Sequence, residues 1–251
     1  MNLRKLVQAY ILNQKVGSPI FISDIMDHIS QYNDEQKPCT QIRKNVNVIL
    51  MRMVNEGKCL KRFGAGVYYR DEVINTEKNG IDSMELIKRT YIKDKKGLVF
   101  GYLTGEIFMY QIKLLADRPS EVVIATNAKR NAICEIEDIN FKLINPPTTV
   151  STENFRYLQV LDLIKNDLAK GSNLQYEYAL SHFMNKYLLE EAKLVALAVE
   201  YYSQKVVLKV ADFISNKVYL DEQKEGIIIT IDTINPKEIS ESIAKEVSES
   251  E

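Results

Sequence analysis

The stretch between Pro38 and Gly57 limits what this chain can fold into more than any other. Its apolar residues Ile42, Val46, Ile49, Leu50 and Met53 follow an i, i+4, i+7, i+8, i+11 pattern. At 3.6 residues per turn they form a single stripe, which must be buried against something. The opposite face carries Gln41, Lys44, Asn45, Asn47, Val48, Met51, Arg52 and Asn55, with Arg43 at its border. That face is rich in hydrogen-bonding groups and almost without acid. Thr40 is expected to cap the helix, and Gly57 to end it as a C′ glycine.

What lies on either side suggests what buries the stripe. Leu3, Val7, Tyr10 and Ile11 recur at helical spacing and predict a first helix over about residues 2–13. Gly17-Ser18-Pro19 breaks the chain, and Ser23 can cap a second helix whose inner side is Ile25, Met26 and Ile29. Tyr32 to Pro38 reads as a polar loop. After Gly57, the segments 58–63 and 67–70 flank the turn Gly64-Ala65-Gly66, a hairpin with Lys61, Arg62 and Arg70 on or beside it. A basic hairpin directly after such a helix is the wing of a winged helix-turn-helix.

Charge points the same way. Residues 1–70 carry 11 Lys and Arg against 5 Asp and Glu, a balance of +6; the remainder balances at −7, giving −1 overall. A phosphate backbone attracts the first part and repels the second. Arg, Lys, Gln and Asn are the residue types that read base edges in a major groove. Gln41, Arg43, Lys44 and Asn47 are therefore the candidates for base or nearby phosphate contacts, with Thr40 at the helix start. Arg52 suits the backbone, and Lys61 and Arg62 suit phosphate or the minor groove. The rival reading is a winged helix that only docks a protein partner.

The second part is mixed. Asp82 or Ser83 caps a helix through about Tyr91, with Met84, Ile87 and Tyr91 on one side, followed by the charged loop Lys93–Gly97. Gly101-Tyr102-Leu103-Thr104-Gly105 lies inside a stretch that otherwise reads as helical through Phe108, Ile112 and Leu115. Glu121 to Asn127 predicts a buried strand and Ile136 to Ile144 an alternating one, stopped by Pro146-Pro147. Thr152 is expected to cap a helix containing Phe155, Leu158, Leu161, Leu163 and Ile164. Further helices are expected at about 174–188, 190–201 and 203–220, and a strand at Ile227–Ile231. The whole is an α+β chain. A winged helix-turn-helix at 1–72 precedes a linker helix and loop at 73–96. A mainly helical α/β domain follows at 97–235, then an acidic tail at 236–251 that is expected to be disordered.

Several chemistries find no support. Neither a GxxxxGK[ST] phosphate loop nor a GxSxG elbow occurs, and no catalytic or metal-binding set emerges. Of the two histidines, His28 is expected at the surface of the first module, and His182, in a helix beside Phe183, reads as structural. The triplets Glu191-Ala192-Lys193 and Glu222-Gln223-Lys224 could feed a nuclease, but such triplets arise by chance in a chain that is 27% charged. Cys39, Cys59 and Cys134 are odd in number and lack CxxC spacing, which fits a reducing cytoplasm. No apolar run is long enough for a membrane span, and the N-terminus does not read as a signal peptide. No cofactor is expected.

The order of segments resembles a known family. A winged helix is followed by Gly101–Gly105, then Val123–Asn127, then Tyr157–Asp162. In this order they look like the AbiEi family of antitoxins from type IV, abortive-infection toxin–antitoxin systems. The resemblance spans roughly residues 1 to 220. It implies a non-enzyme that binds duplex operator DNA in its own promoter and represses its operon. It also implies a C-terminal domain that neutralises a cognate nucleotidyltransferase toxin. The alternative is a one-component winged-helix regulator whose C-terminal domain senses a ligand or protein.

Overall fold

The computed structural model describes residues 2–32, 38–57, 59–71, 80–128, 136, 139–166 and 174–216. They form a mixed α and β protein, more helical than stranded, with two separate three-stranded sheets. This agrees with the α+β expectation. The chain divides into two compact units. One comprises Met1–Leu103 and Ser120–Phe155, the other Thr104–Pro119 and Arg156–Glu251.

The first unit begins with α1 (Leu3–Leu12), β1 (Pro19–Phe21), α2 (Ile22–Ser30), α3 (Cys39–Asn55) and the hairpin β2 (Leu60–Gly64) and β3 (Val67–Arg70). Four residues of the α3 stripe, Ile42, Val46, Leu50 and Met53, are buried as expected in one core with Val7, Ile11, Ile25 and Tyr68, and the fifth, Ile49, is partly buried against it. The strand order is β1-β3-β2, both pairs antiparallel, with Ile20 opposite Tyr68 and Arg62 opposite the same tyrosine. The sequence reads 17–19 only as a break and so misses β1. Pro19 opens an edge strand, where a missing N–H costs no ladder bond.

Two expected caps are absent. Pro38, not Thr40, precedes α3, and Thr40 lies within the helix. Ser23 does not cap α2, which starts one residue earlier, directly after β1. The first N–H of α2 instead finds a partner across the sheet, because Ile22 N donates to Gly66 O in the hairpin turn at 3.1 Å. Gly57 does end α3, with φ +68° and its N–H on Val54 O at 3.1 Å. Arg70 turns inward and donates to Leu12 O and Gln14 O, both at 2.6 Å, closing the carbonyl end of α1.

The helix read as part of a linker is α4 (Ser83–Tyr91), capped by Asp82, which accepts from Glu85 N. Asp82 N donates to Gly17 O at 2.7 Å. Arg89 donates to both carboxylate oxygens of Asp24 in α2, each at 2.9 Å, with its guanidinium 5.2 Å from the Phe21 ring centre. Lys95 donates to the Tyr10 hydroxyl and Lys96 pairs with Asp27. These ties lock α4 and its following loop onto α1 and α2.

The second sheet has the order β4-β5-β6, from β4 (Gly101–Thr104), β5 (Glu121–Thr126) and β6 (Asn140–Ile144), with β5 and β6 parallel. Gly101–Thr104 is thus a strand and not part of a helix. All four of its residues are buried, and Tyr, Leu and Thr suit such a pleated, covered position. Gly101 is required by space. A Cβ there would run into the Tyr91 carbonyl oxygen and come within 2.9 Å of Ala125 O and Thr126 Cβ. Asn127 imitates a strand partner, donating to Val150 O and accepting from Val150 N.

The second unit packs α5 (Glu106–Gln111), α6 (Phe155–Asn166), α7 (Leu174–Lys186), α8 (Glu191–Tyr201) and helical residues 204–216 around Leu161, Leu163, Leu180, Met184, Leu194 and Phe213. Residues 157–164 of α6 are all buried, which makes it the central helix. The expected cap Thr152 lies three residues before the start of α6, and its hydroxyl accepts from Val99 N at 3.4 Å. The expected strand at Ile227–Ile231 and the tail at 236–251 lie outside the described residues. No described helix is long and apolar enough to cross a membrane.

Two substitutions test these ties. Arg89→Ala leaves the buried Asp24 carboxylate without its guanidinium and is expected to cost about 3 kcal/mol. Gly101→Ala is expected to cost about 3 kcal/mol through overpacking. Urea unfolding measures both; a loss under about 0.5 kcal/mol, the scale of neutral surface changes, would exclude the role assigned.

Candidate nucleic-acid interface

Burying the α3 stripe leaves one side of the helix outside. At about 100° per residue, Lys44 lies about 180° from Met53, at the outward pole. Thr40, Gln41, Arg43, Lys44 and Arg52 are all exposed. Gln41 donates to Asn45 one turn on, at 3.2 Å. Asn47 differs from its neighbours: it is half-buried, and its side-chain oxygen is shielded from solvent without a hydrogen-bond partner. It is therefore less available to a ligand than its spacing suggests.

The carboxylates of this region are turned elsewhere. Asp24 is held by Arg89, Asp27 by Lys96, Glu56 by Arg4 and Asp71 by Lys61. Every described carboxylate of residues 2–71 thus has a cationic partner. No described carboxylate pairs with Arg43, Lys44 or Arg52. The α3 helix itself contains no Asp or Glu, so its positive N-terminal end has no internal counter-charge.

The hairpin cations are unequal. Arg62 is exposed and its Nε donates to Gly64 O at 3.2 Å, steadying the turn. Lys61 is paired with Asp71, a carboxylate that is only 8% exposed. That hydrogen bond holds the Lys61 ammonium above its ordinary pKa. Lys61 stays charged, but part of its field is spent on Asp71. Arg70 is committed to the carbonyl end of α1. Lys61 and Arg62 are thus both exposed, but Lys61 is paired with a carboxylate and Arg70 is committed to α1, a distinction between residues of like charge that spacing does not show.

The second unit holds a buried polar group of another kind. Asp162 on α6 accepts from the Tyr202 hydroxyl at 2.8 Å and from the Thr104 hydroxyl at 3.4 Å. Burial first, and the Asp162 charge second, push the Tyr202 phenol far above its ordinary range. Thr104 and Asp162 belong to the segments Gly101–Gly105 and Tyr157–Asp162. A separate cleft of about 380 Å³ lies where α5 and α7 end, lined by Gln111, Lys113, His182, Lys186 and Tyr187 among others.

Remaining candidates are scattered. His28 is half-buried rather than on the surface, its ring 5.0 Å from that of Tyr10 and 5.1 Å from that of Tyr32. His182 is exposed and stacks on Tyr178. Glu191 opens α8, while Glu222 lies outside the described residues. Among the described residues no three His, Cys, Asp or Glu side chains gather to hold a metal ion. Cys39 and Cys59 are free thiols; Cys134 is outside the described residues. No protein-family model matches the chain, and no curated protein matches it in sequence.

The Asp162 group makes a pH prediction. A phenol whose pKa is raised on folding contributes stability that is fully present below the unfolded value of about 10 and is lost as pH rises beyond it. Stability should therefore fall above about pH 10, and Tyr202→Phe should flatten that fall. Urea unfolding from pH 8 to 11 checks this; equal slopes in both proteins would refute it.

Proposed function

We propose that this chain is a DNA-binding antitoxin of the AbiEi type, with a winged helix-turn-helix over its first 72 residues. The supporting architecture is the order α1-β1-α2-α3-β2-β3 with β1 joined to β3. The observation that carries the reading is the outward face of α3, where Arg43, Lys44 and Arg52 stand on an acid-free helix while each described carboxylate nearby is neutralised. In this reading α3 enters the major groove, with Gln41, Arg43 and Lys44 near base edges and phosphates. Arg62 reaches phosphate from the hairpin, with Lys61 a weaker partner. The chain represses its own operon by occupying the promoter.

The second unit then neutralises a nucleotidyltransferase toxin without itself being an enzyme. Its net negative charge separates it from the DNA-binding task, since phosphate repels it. A second reading is favoured by the cleft at the ends of α5 and α7. Its volume of about 380 Å³ suits a small effector, which would make the chain a ligand-sensing regulator.

Salt titration of duplex binding tests the first part. Arg62→Ala should weaken all sequences alike and lower the log–log salt slope by about one, whereas Gln41→Ala or Arg43→Ala should relax preference at single base pairs by about 1–3 kcal/mol. Lys61→Ala should change the slope less than Arg62→Ala. If Lys44→Ala and Arg62→Ala leave binding unchanged, the interface is misassigned. Growth rescue tests the second part: co-expression with a nucleotidyltransferase encoded beside this gene should restore growth, and continued arrest would count against an antitoxin. An operator affinity that changes with a small molecule would favour the regulator instead.

A further inference from the structure

Two side chains on the outward face of α3 do not fit a surface that merely attracts phosphate. Val48 is 48% exposed and Met51 is 57% exposed. Single exposed apolar residues need no explanation, but these two are three residues apart and adjoin Lys44. On a helical projection Lys44, Val48 and Met51 fall within about 60° of one another. The strip rises about 10 Å along the helix, the length of roughly three base-pair steps.

Charge decides what can cover this strip. A second copy of the chain, meeting face to face, would set Lys44, Arg43 and Arg52 against their own equivalents with no carboxylate on the helix to relieve them. A duplex groove offers negative charge and apolar contact together. Its phosphates meet the cations, and the C5-methyl group of thymine is the one apolar feature a major groove displays.

We propose that Val48 and Met51 are specificity-determining residues that read thymine methyl groups, so that the sequence preferred by this protein carries thymines opposite the middle of α3. This rests on the DNA-binding reading above and adds a base identity to it. Lys44 supplies attraction to any duplex; Val48 and Met51 reward only those with a methyl group at the matching step. Both side chains point away from the core, so shortening them leaves the α3 stripe intact.

The test uses the full chain and a pool of random-sequence duplexes at low salt. The best-bound duplex is then remade with deoxyuridine replacing each thymine in turn, which removes only the methyl group. At one or two positions the replacement should weaken binding about fourfold, the worth of one buried methyl group. That penalty should vanish in V48A or M51A, while the salt slope stays as in the parent. Enrichment of a duplex with no deoxyuridine penalty at any position overturns the methyl reading and leaves the DNA-binding one standing. A penalty that persists in both variants does the same. No salt-dependent enrichment of any duplex overturns both. Loss of an acidic protein partner in V48A and M51A, with duplex binding untouched, would assign the strip to that partner and overturn the proposal.

Discussion

Burial of the α3 stripe governs the rest of the first unit. Once Ile42, Val46, Leu50 and Met53 face the core shared with α1 and α2, the helix has no rotational freedom left. The positions of Lys44, Val48 and Met51 then follow from 3.6 residues per turn. The hairpin and β1 complete the same core through Tyr68 and Ile20. Even the start of α2 depends on it, because its first N–H is satisfied by Gly66 in the hairpin turn.

Electrostatics then refines what burial exposes. A surplus of cations in a segment says little about where the field is strong, since exposed pairs cancel locally and salt screens the remainder. Here each described acid of residues 2–71 is paired with a cation other than Arg43, Lys44 or Arg52. Asp24 is spent on Arg89, Asp27 on Lys96 and Asp71 on Lys61. Two of those cations, Arg89 and Lys96, come from α4 and the loop after it, so the field on α3 is shaped in part by residues beyond position 72.

The second unit follows a different logic. Its central helix α6 is covered on every side, yet carries Asp162. A carboxylate in that setting needs donors, and Tyr202 and Thr104 provide them from elements 40 and 58 residues away in sequence. Thr104 and Asp162 are thereby joined by a hydrogen bond, although nothing in the sequence around either residue announces the other.

Much of the helical content was legible in local pattern, because the stripe of α3, the Asp82 cap of α4 and the apolar face of α1 are set by neighbours within one or two turns. The hairpin at Gly64–Gly66 was legible for the same reason. Its cations were not: Lys61, Arg62 and Arg70 look alike along the chain, and only packing commits Arg70 to α1, pairs Lys61 with Asp71 and leaves Arg62 outward. Strand β1 was invisible because three residues carry no period, and β4 was misread because its four buried residues lie next to a helical pattern. The amino-acid sequence by itself determined where most of the described helices lie and which side of α3 can be buried, through short-range periodicity. The tertiary structure alone decided which charges remain to meet a ligand, because ion pairs and strand partners join residues too far apart in the chain for any local pattern to record.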